Sequence, residues 1–197
     1  MSIPPGPYAA LRIPDFRPVN SFSPPNVKKV AVIGPECTGK SDLSAFLATH
    51  FKTEWAREYA RGYMDKLVRP YAQSDLLTIA HGQLRVEEEF MRDSNKVLIC
   101  DTNLYVIKIW SQFKFGTVDE EILNHIATRK YDLYLLTYID IPWQDDPQRE
   151  HPTKRQELYD IYLREMKNQP VPFVEIKGER ELRRKMAVSA IEKIIDN

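Results

Sequence analysis

The sequence predicts an α/β fold, a parallel sheet of about five strands with helices on both faces and a small lid. Two observations lead to this prediction. Short, continuously apolar runs alternate with amphipathic helical patterns along the chain, and such alternation specifies a parallel sheet covered on both faces. The first apolar run, residues 30–33, is followed at once by a glycine-containing loop and then by a helical pattern. That order is found around phosphate-binding loops.

Five runs are predicted as strands, because each is short, rich in apolar residues and bounded by polar or turn-forming residues. They are residues 30–33, 51–55, 96–100, 132–137 and 172–176, of which 51–55 has the weakest pattern. The second run is expected to lie next to the first in the sheet. Helices are predicted between them over residues 40–50, 56–64, 73–92, 103–113, 118–129, 153–168 and 179–195.

The composition is that of an ordinary globular domain. Hydrophobic residues make up 43% and charged residues 28% of the chain, and the formal net charge is zero. A neutral chain has no overall attraction for nucleic acid or acidic membranes, so neither is expected as a partner. We find no apolar run long enough to span a bilayer, no secretory signal pattern, and only two cysteines, read as free thiols. A cytoplasmic location is therefore predicted.

The first 27 residues differ from the rest, because they hold seven of the 14 prolines. Proline excludes regular helices and central strands, so residues 1–27 are either an extended arm on the domain or a disordered leader. The apolar residues among them favour the arm. Residues 28–197 are predicted to form one domain, whose polar stretch at about 138–155 has the length of a functional loop and is interpreted as the lid.

Residues 34–41, GPECTGKS, match the pattern G-x-x-x-x-G-K-[ST]. In such a loop the glycines allow backbone N–H groups to turn toward phosphate oxygens, and the following helix adds its positive dipole end. The lysine reaches the β- and γ-phosphates of ATP, and the serine hydroxyl can bind Mg²⁺. The predicted nucleotide-binding residues are Gly34, Glu36, Cys37, Thr38, Gly39, Lys40 and Ser41. Cys37 is interpreted as a small residue that fills space rather than as a reactive thiol.

Two acids are candidates for catalysis because each is expected at the carboxyl end of a strand, where chemistry gathers in open α/β sheets. Asp101 follows the run 96–100 and could hold Mg²⁺ or accept a proton from an attacking hydroxyl. The alternative for Asp101 is a helix N-cap. Glu54 lies near the end of the run 51–55 and is the rival for the base, with a solvated surface acid as its alternative.

The predicted lid carries Arg149 and Arg155. Lid arginines in small phosphate-transferring enzymes neutralise charge on the transferring phosphoryl group, and both are predicted to do so here. Ordinary surface ion pairs are the alternative for each. Trp143 is also in this loop, and a large aromatic residue on a loop favours contact with a ligand or a covering element.

A resemblance to a known family is carried by residues 34–41 (GPECTGKS), 54–60 (EWAREYA), 100–103 (CDTN) and 140–146 (DIPWQDD), with Arg149. Together these segments resemble the ribosylnicotinamide kinase domain of bacterial NadR-type proteins. The similarity extends over about residues 28–195. The resemblance implies a P-loop kinase-like fold. It also implies an enzyme that uses Mg-ATP to phosphorylate the 5′-hydroxyl of nicotinamide riboside, giving nicotinamide mononucleotide.

The implied substrate carries a cationic pyridinium ring, which aromatic faces and carboxylates favour. Trp143, Tyr59 and Tyr105 are the candidate partners of the ring, and Asp140 or Asp145 could supply charge or bind ribose hydroxyls. Simple core or lid packing is the alternative for each tyrosine.

The chain departs from the usual family pattern at three positions. Cys37 stands where serine is common, Asn103 where an acid is common, and Pro147 where glycine is common. Because position 103 is an asparagine, the substrate or metal contact that an acid makes there in relatives is not expected of a carboxylate in this chain. In multi-domain relatives a DNA-binding and an adenylyltransferase domain precede the kinase domain, and neither activity is expected of this chain.

Two other functions stay open at this point. The same fold could act on another nucleoside or small hydroxyl metabolite, or the chain could be a non-catalytic nucleotide-binding module. A GTPase is not indicated, because Asn95-Lys96 is followed by Val97-Leu98 and the N-K-x-D guanine signature is absent. The sequence leaves open whether the protein forms a homo-oligomer and whether Asp101 or Glu54 is the base.

Overall fold

The computed structural model describes residues 27–196 and contains one sheet of five parallel strands. The strands are β1 Lys28–Ile33, β2 Trp55–Ala56, β3 Val97–Asp101, β4 Leu133–Thr137 and β5 Phe173–Ile176, in the order β2-β3-β1-β4-β5. The predicted α/β class, strand number and parallel arrangement are therefore confirmed. The prediction of an N-terminal arm lies outside the described residues, apart from Val27.

Seven helices connect or follow these strands in the described part of the chain, and each corresponds to a predicted helix. They are α1 Lys40–Phe51, α2 Tyr59–Met64, α3 Gln73–Asp93, α4 Leu104–Phe115, α5 Glu120–Thr128, α6 Arg155–Lys167 and α7 Arg180–Ile195. Caps explain several of the ends: the Asn103 side chain accepts a hydrogen bond from the backbone of Tyr105, and that of Asp119 accepts one from Glu121. We find no helix in residues 27–196 that is long and apolar enough to cross a bilayer.

The second strand is shorter than predicted and occupies a different place in the sheet. Helix α1 continues through Phe51, and Lys52 ends it in the left-handed conformation, with φ 51° and its backbone N–H bonded to carbonyls of the last turn. Only Trp55 and Ala56 then extend, and they pair with β3 rather than with β1. Glu54 consequently precedes the strand and does not lie at its carboxyl end.

The core has two layers because alternate residues of each strand face opposite sides of the sheet. In β1, Val30 and Val32 belong to the cluster that α1 and α7 cover, whereas Ala31 and Ile33 belong to the cluster that includes residues of α4 and α6. A third cluster joins α2, α3, α4 and α5 beyond the β2 edge. Burial on both faces explains why the strands read as continuous apolar runs.

Candidate active site

The glycine-containing loop follows the central strand β1 and leads into α1. Gly34 has φ +139°, and a Cβ at this position would lie 2.5 Å from Oγ1 and 2.7 Å from the carbonyl oxygen of Thr137 on β4. Gly39 has φ +78°, and a Cβ there would lie 2.8 Å from Ile141. Both positions therefore require glycine, for conformation and for space. The loop is held at the carboxyl edge of the sheet, where the motif predicted it.

Lys40 lies against the loop that precedes it. Its Nζ donates hydrogen bonds to the carbonyl oxygens of Gly34 at 3.0 Å and Pro35 at 2.7 Å. Burial lowers the pKa of Lys40, and the nearby carboxylates of Glu58, Asp101 and Glu36 oppose that shift. The ammonium is thus a partly buried positive charge among three acids, beside the loop amides that bind phosphate in this motif.

Thr38 has a structural part within the loop. Its hydroxyl is buried, donates to the carbonyl of Pro35 at 2.9 Å and lies 2.7 Å from the hydroxyl of Thr137. The Thr137 hydroxyl in turn donates to the carbonyl of Ile33 at 3.0 Å. The Thr38 side chain therefore fixes the loop to β4, which leaves its backbone N–H as the group that could meet a phosphate.

Asp101 is the last residue of β3 and is buried next to the loop. Burial, and after it the negative charge of Glu58, raises the pKa of Asp101 to about 7, while a hydrogen bond with Ser41 and the charge of Lys40 act in the opposite direction. Its Oδ1 has no hydrogen-bond partner among residues 27–196. A buried carboxylate oxygen without a partner beside a serine hydroxyl fits a divalent cation with oxygen ligands, such as Mg²⁺.

Glu58 is a site residue that the sequence analysis missed. It lies two residues beyond β2, at the carboxyl edge that Glu54 was expected to occupy. Burial raises the pKa of Glu58, and the positive charges of Lys40 and Arg61 oppose the shift. Glu54 does not line the cavity described below, so the structure does not bring it together with the loop. The segment 54–60, which contains both glutamates, did point to this region. The strand was predicted over residues 51–55 instead of Trp55–Ala56, so Glu54 rather than Glu58 was expected at its carboxyl end.

A cavity of about 700 Å³ extends from the loop toward α2 and α4, which is the size range of small-molecule sites. One wall is formed by residues 34–42, and Asp101 and Glu58 lie beside it. The cavity is also lined by aromatic and histidine side chains, those of Trp55, Tyr71, Trp110, Phe113, His151 and Tyr162. The indole N–H of Trp110 donates to the hydroxyl of Tyr71 at 2.7 Å, and their rings meet edge to face.

The segment between β4 and α6, residues 138–154, packs on the loop in this structure. The Glu36 carboxylate accepts hydrogen bonds from the backbone N–H groups of Glu150 and His151 at 3.0–3.2 Å. The sulfur of Cys37 accepts one from the backbone of Gln144 at 3.2 Å. Cys37 is therefore more than a filler of space, because its thiol joins the loop to this segment.

The two predicted lid arginines have different positions. Arg149 lines the large cavity, and its guanidinium donates to the Cys37 sulfur at 3.4 Å. Arg155 starts α6 and donates to the carbonyl oxygens of Cys37 at 3.0 Å and Ile141 at 2.9 Å, without lining the cavity. Arg149 can thus meet a ligand directly, whereas Arg155 holds the loop and the 138–154 segment together.

Trp143 and Asp145 of the 138–154 segment lie away from the large cavity. Trp143 donates its indole N–H to Asp145 at 2.8 Å, and the guanidinium groups of Arg149 and Arg155 lie 5.9 Å from its ring centre. Neither Trp143 nor Asp145 lines either cavity. Asp146 pairs with Arg61, a cavity residue, through a hydrogen bond of 2.9 Å.

The two predicted ring-binding tyrosines pack inside the protein. Tyr59 lies directly against Gly82 of α3, where a Cβ would overlap its ring. Tyr105 meets Tyr134 edge to face, with ring centres 5.8 Å apart. Neither residue lines the large cavity. Packing, the alternative considered for each tyrosine, is what the structure contains.

A second cavity of about 830 Å³ lies on the other side of α1, and it shares Gly39 and Asp42 with the first. Asp140 lines it and pairs with Arg183, whose Nη1 also donates to the Thr38 carbonyl at 2.8 Å. Arg180 and Arg184 line it as well. Asp140 is therefore near the loop, where it pairs with Arg183, but it does not line the large cavity.

Comparison with known proteins places the chain among relatives of known type. It is 26% identical over 159 residues to the trifunctional NAD biosynthesis/regulator protein NadR of Salmonella typhimurium, covering 77% of this chain and 38% of that protein. The chain thus spans less than two-fifths of the length of this curated relative.

Two solved structures have the same fold. A NadR protein in complex with NR superimposes with a TM-score of 0.76 at 20% identity, covering 87% of this chain and 52% of that one. Thymidylate kinase from Candida albicans superimposes with a TM-score of 0.62 at 14% identity, covering 86% and 94%. The architecture is therefore that of P-loop kinases, as the resemblance implied.

A family model described as an AAA domain matches residues 29–183. The match includes the whole phosphate-binding loop, the five strands except Lys28 of β1, and the segment between β4 and α6. Because it covers well over half of the chain, this protein belongs to the AAA-domain family of P-loop proteins.

Proposed function

We propose that the protein is an ATP-dependent kinase that phosphorylates the 5′-hydroxyl of nicotinamide riboside. The observation that carries the proposal is one cavity lined by a phosphate-binding loop, by the carboxylates of Asp101 and Glu58 and by several aromatic side chains. The sequence similarity to NadR supports the choice of substrate. The fold alone would suit several nucleoside kinases.

The donor side is built by residues 34–41 and by the arginines around them. Phosphate oxygens of ATP would meet the loop amides and Lys40, and Arg149 would add positive charge where the transferred phosphoryl group becomes more negative. Asp101 and Ser41 would hold Mg²⁺, which supplies neutralisation of phosphate charge when it is bound. The second cavity, which shares Gly39 with the first, is the candidate place for the adenosine.

The acceptor side favours Glu58 as the base. Glu58 lies in the cavity near Lys40, and its raised pKa brings the carboxylate closer to the proton affinity that a general base needs at neutral pH. Asp101 has the hydrogen bond with Ser41 and the free buried oxygen, which suits metal binding better than proton transfer. This division replaces Glu54 by Glu58 in the mechanism.

The pyridinium ring would lie against the aromatic side chains of the cavity. Trp110 and Tyr71 form an edge-to-face pair there, and Phe113 lies along the same wall. A cation over such rings gains about 0.5–2 kcal/mol, which makes the expected preference over neutral nucleosides several-fold to tens-fold. Trp110 and Tyr71 therefore replace Trp143, Tyr59 and Tyr105 as the proposed partners of the ring.

The test is a panel of ribosides and deoxyribosides with Mg-ATP, followed by chromatography of the products. We expect nicotinamide mononucleotide and ADP, with a higher kcat/KM for nicotinamide riboside than for adenosine, uridine or thymidine. Trp110→Ala should lower kcat/KM for the riboside with little change in KM for ATP, and Trp143→Ala is the matched control with a small effect. Faster phosphorylation of a neutral nucleoside would contradict the assignment of nicotinamide riboside as the substrate. The protein would then be a small-molecule kinase of another specificity. ATP turnover that no acceptor stimulates would favour the non-catalytic module instead.

The remaining expectations accompany this proposal as predictions. They are a cytoplasmic location, the absence of nucleic-acid partners, and a lid formed by residues of the β4–α6 segment. Whether the protein forms a homo-oligomer stays open.

A further inference from the structure

Three potential metal ligands meet on the surface between α3 and α5, away from both cavities. They are His81 on α3 and Glu121 and His125 on α5, and one ligand atom from each lies within 4.8 Å of the other two. None of the three lines either cavity. The proposed kinase chemistry therefore uses none of them.

The two helices present these side chains for definite reasons. Glu121 and His125 are four residues apart, which places them on the same face of a helix. The N-cap Asp119 fixes the start of α5 by accepting a hydrogen bond from the Glu121 backbone at 2.8 Å. Ile122 is buried in the cluster that α5 shares with α3, so α5 is held close to α3 beside His81.

The geometry is close to that of a zinc site. His81 Nε2 lies 2.8 Å from Oε1 of Glu121, and His125 Nε2 lies 3.7 Å from the same oxygen. Nitrogen and oxygen ligands at about 2.0–2.1 Å from Zn²⁺ in a tetrahedron are about 3.4 Å apart. Small side-chain rotations are therefore enough to bring the three atoms around one ion. The two imidazole rings lie 5.9 Å apart at 88°, which leaves room between them.

The side chains are also accessible to an ion from solution. They are 43% exposed for His81, 52% for Glu121 and 30% for His125. An ordinary hydrogen bond explains why His81 Nε2 lies near Oε1 of Glu121. It does not explain why Nε2 of His125 also lies 3.7 Å from that oxygen. We propose that His81, Glu121 and His125 form a binding site for a divalent transition metal such as Zn²⁺, with water completing the coordination.

Such a site would join two helices of the same cluster. A metal that binds the folded chain and not the unfolded chain stabilises the fold by mass action. Helix α3 also carries Gly82, against which Tyr59 of α2 packs next to Glu58. The expected consequence is a metal-dependent stability of the α3–α5 region, independent of phosphate transfer.

The experiment uses the full chain without a polyhistidine tag, stripped of metal and titrated with ZnCl₂ by calorimetry in excess Mg²⁺. We expect one zinc equivalent and a melting temperature several degrees higher with zinc. The His81→Ala/His125→Ala variant should lose this equivalent, and Glu121→Gln should weaken it at least about tenfold. His50→Ala is the matched control: it removes a histidine of α1 outside this cluster and should bind like the wild type.

Cobalt substitution identifies the ligands independently of affinity. Co²⁺ at a site of two imidazoles and one carboxylate should give visible d–d bands without the charge-transfer band of a thiolate. A thiolate band would place the ion at Cys37 or Cys100 instead. That result, or unchanged zinc affinity in the double histidine variant or in Glu121→Gln, would overturn the proposal.

Discussion

Glu58 and Asp101 share one cavity edge but have different surroundings. Asp101 is at the end of β3 and hydrogen-bonded with Ser41, and its Oδ1 has no partner in the part of the chain that the structure describes. Glu58 is the residue just before α2, its side chain makes no capping hydrogen bond, and the positive charges of Lys40 and Arg61 act on it. Two carboxylates whose surroundings differ in this way can divide metal binding and proton transfer between them.

Glu58→Gln should lower kcat by about 10²–10⁴, because the amide cannot accept the proton of the acceptor hydroxyl. Glu54→Gln is the matched control, since it makes the same change four residues earlier and outside the cavity. We expect its kcat to stay close to the wild-type value. Steady-state kinetics at saturating Mg-ATP measure both. A normal kcat in Glu58→Gln would remove this residue from the mechanism.

Asp101 gives a prediction on the pH dependence of stability. Its pKa is about 7 in the folded chain against an ordinary value of 3.8, so the folded state binds the proton more tightly. The stability of the ligand-free wild type should therefore fall as pH rises from about 4 to about 7. Asp101→Asn removes this cost and should raise stability at pH 8 by about 0.5–2 kcal/mol.

The measurement is urea unfolding of ligand-free protein at pH 5 and pH 8. At pH 5 only part of this cost is present, because the carboxyl group is already ionised in the unfolded chain but still protonated in the folded chain, so the difference between the two proteins should be smaller than at pH 8. The same variant should lose activity because it weakens the proposed metal site. A variant that is less stable than the wild type at pH 8 would contradict the physical account of the raised pKa.

At the scale of elements, helix α2 is positioned by its packing on α3. Tyr59 lies against Gly82, and its backbone N–H donates to the side chain of Gln83 at 2.9 Å. These contacts fix the start of α2, and with it Glu58. The glycine is thus required by the close approach of a neighbouring ring, although the interior of a helix ordinarily favours alanine.

Gly82→Ala should destabilise the protein by about 1–3 kcal/mol, because the added methyl group would overlap the Tyr59 ring and force a shift. In a Tyr59→Ala background the same change should be neutral or stabilising, as expected from helix propensity alone. A double-mutant cycle of unfolding free energies measures the coupling. Equal effects in the two backgrounds would show that the ring does not set the cost.

At the scale of the whole molecule, ligand binding should be visible as stability. The phosphate-binding loop joins the central strand β1 to α1, and its Gly39 lines both cavities. A non-hydrolysable ATP analogue at about 100 times its Kd should stabilise the fold by about 2.7 kcal/mol, or about 5–10 °C in a chain of this size. Differential scanning calorimetry with Mg²⁺ measures the shift.

Lys40→Ala is the test of the loop in the same experiment. It removes the lysine charge offered to the β- and γ-phosphates, so turnover should be lost and the analogue should no longer raise the melting temperature. The ligand-free variant should fold, because it also removes a buried charge. Undiminished activity in this variant would refute the nucleotide-binding interpretation.

The sequence alone determined the features that depend on local pattern. Continuous apolar runs identified β1, β3 and β4, since strands buried on both faces need apolar residues at every position. The phosphate-binding loop and Asp101 were located correctly because glycines, lysine and a strand-ending acid are encoded within a few residues of one another. The segment 54–60 also indicated the region of the cavity, but the sequence singled out Glu54, whereas Glu58 is the glutamate that lines the cavity.

Only the tertiary structure decided which side chains meet. Trp110 and Tyr71 are 39 positions apart and come together because α4 and the chain before α3 border the same cavity. Trp143 looked suited to a ring by composition, yet the 138–154 segment turns it toward Asp145 and away from the cavity. The physical reason is that strand position and loop docking depend on packing between distant elements, which local periodicity does not contain. A shift in where one short strand begins was enough to exchange Glu54 for Glu58.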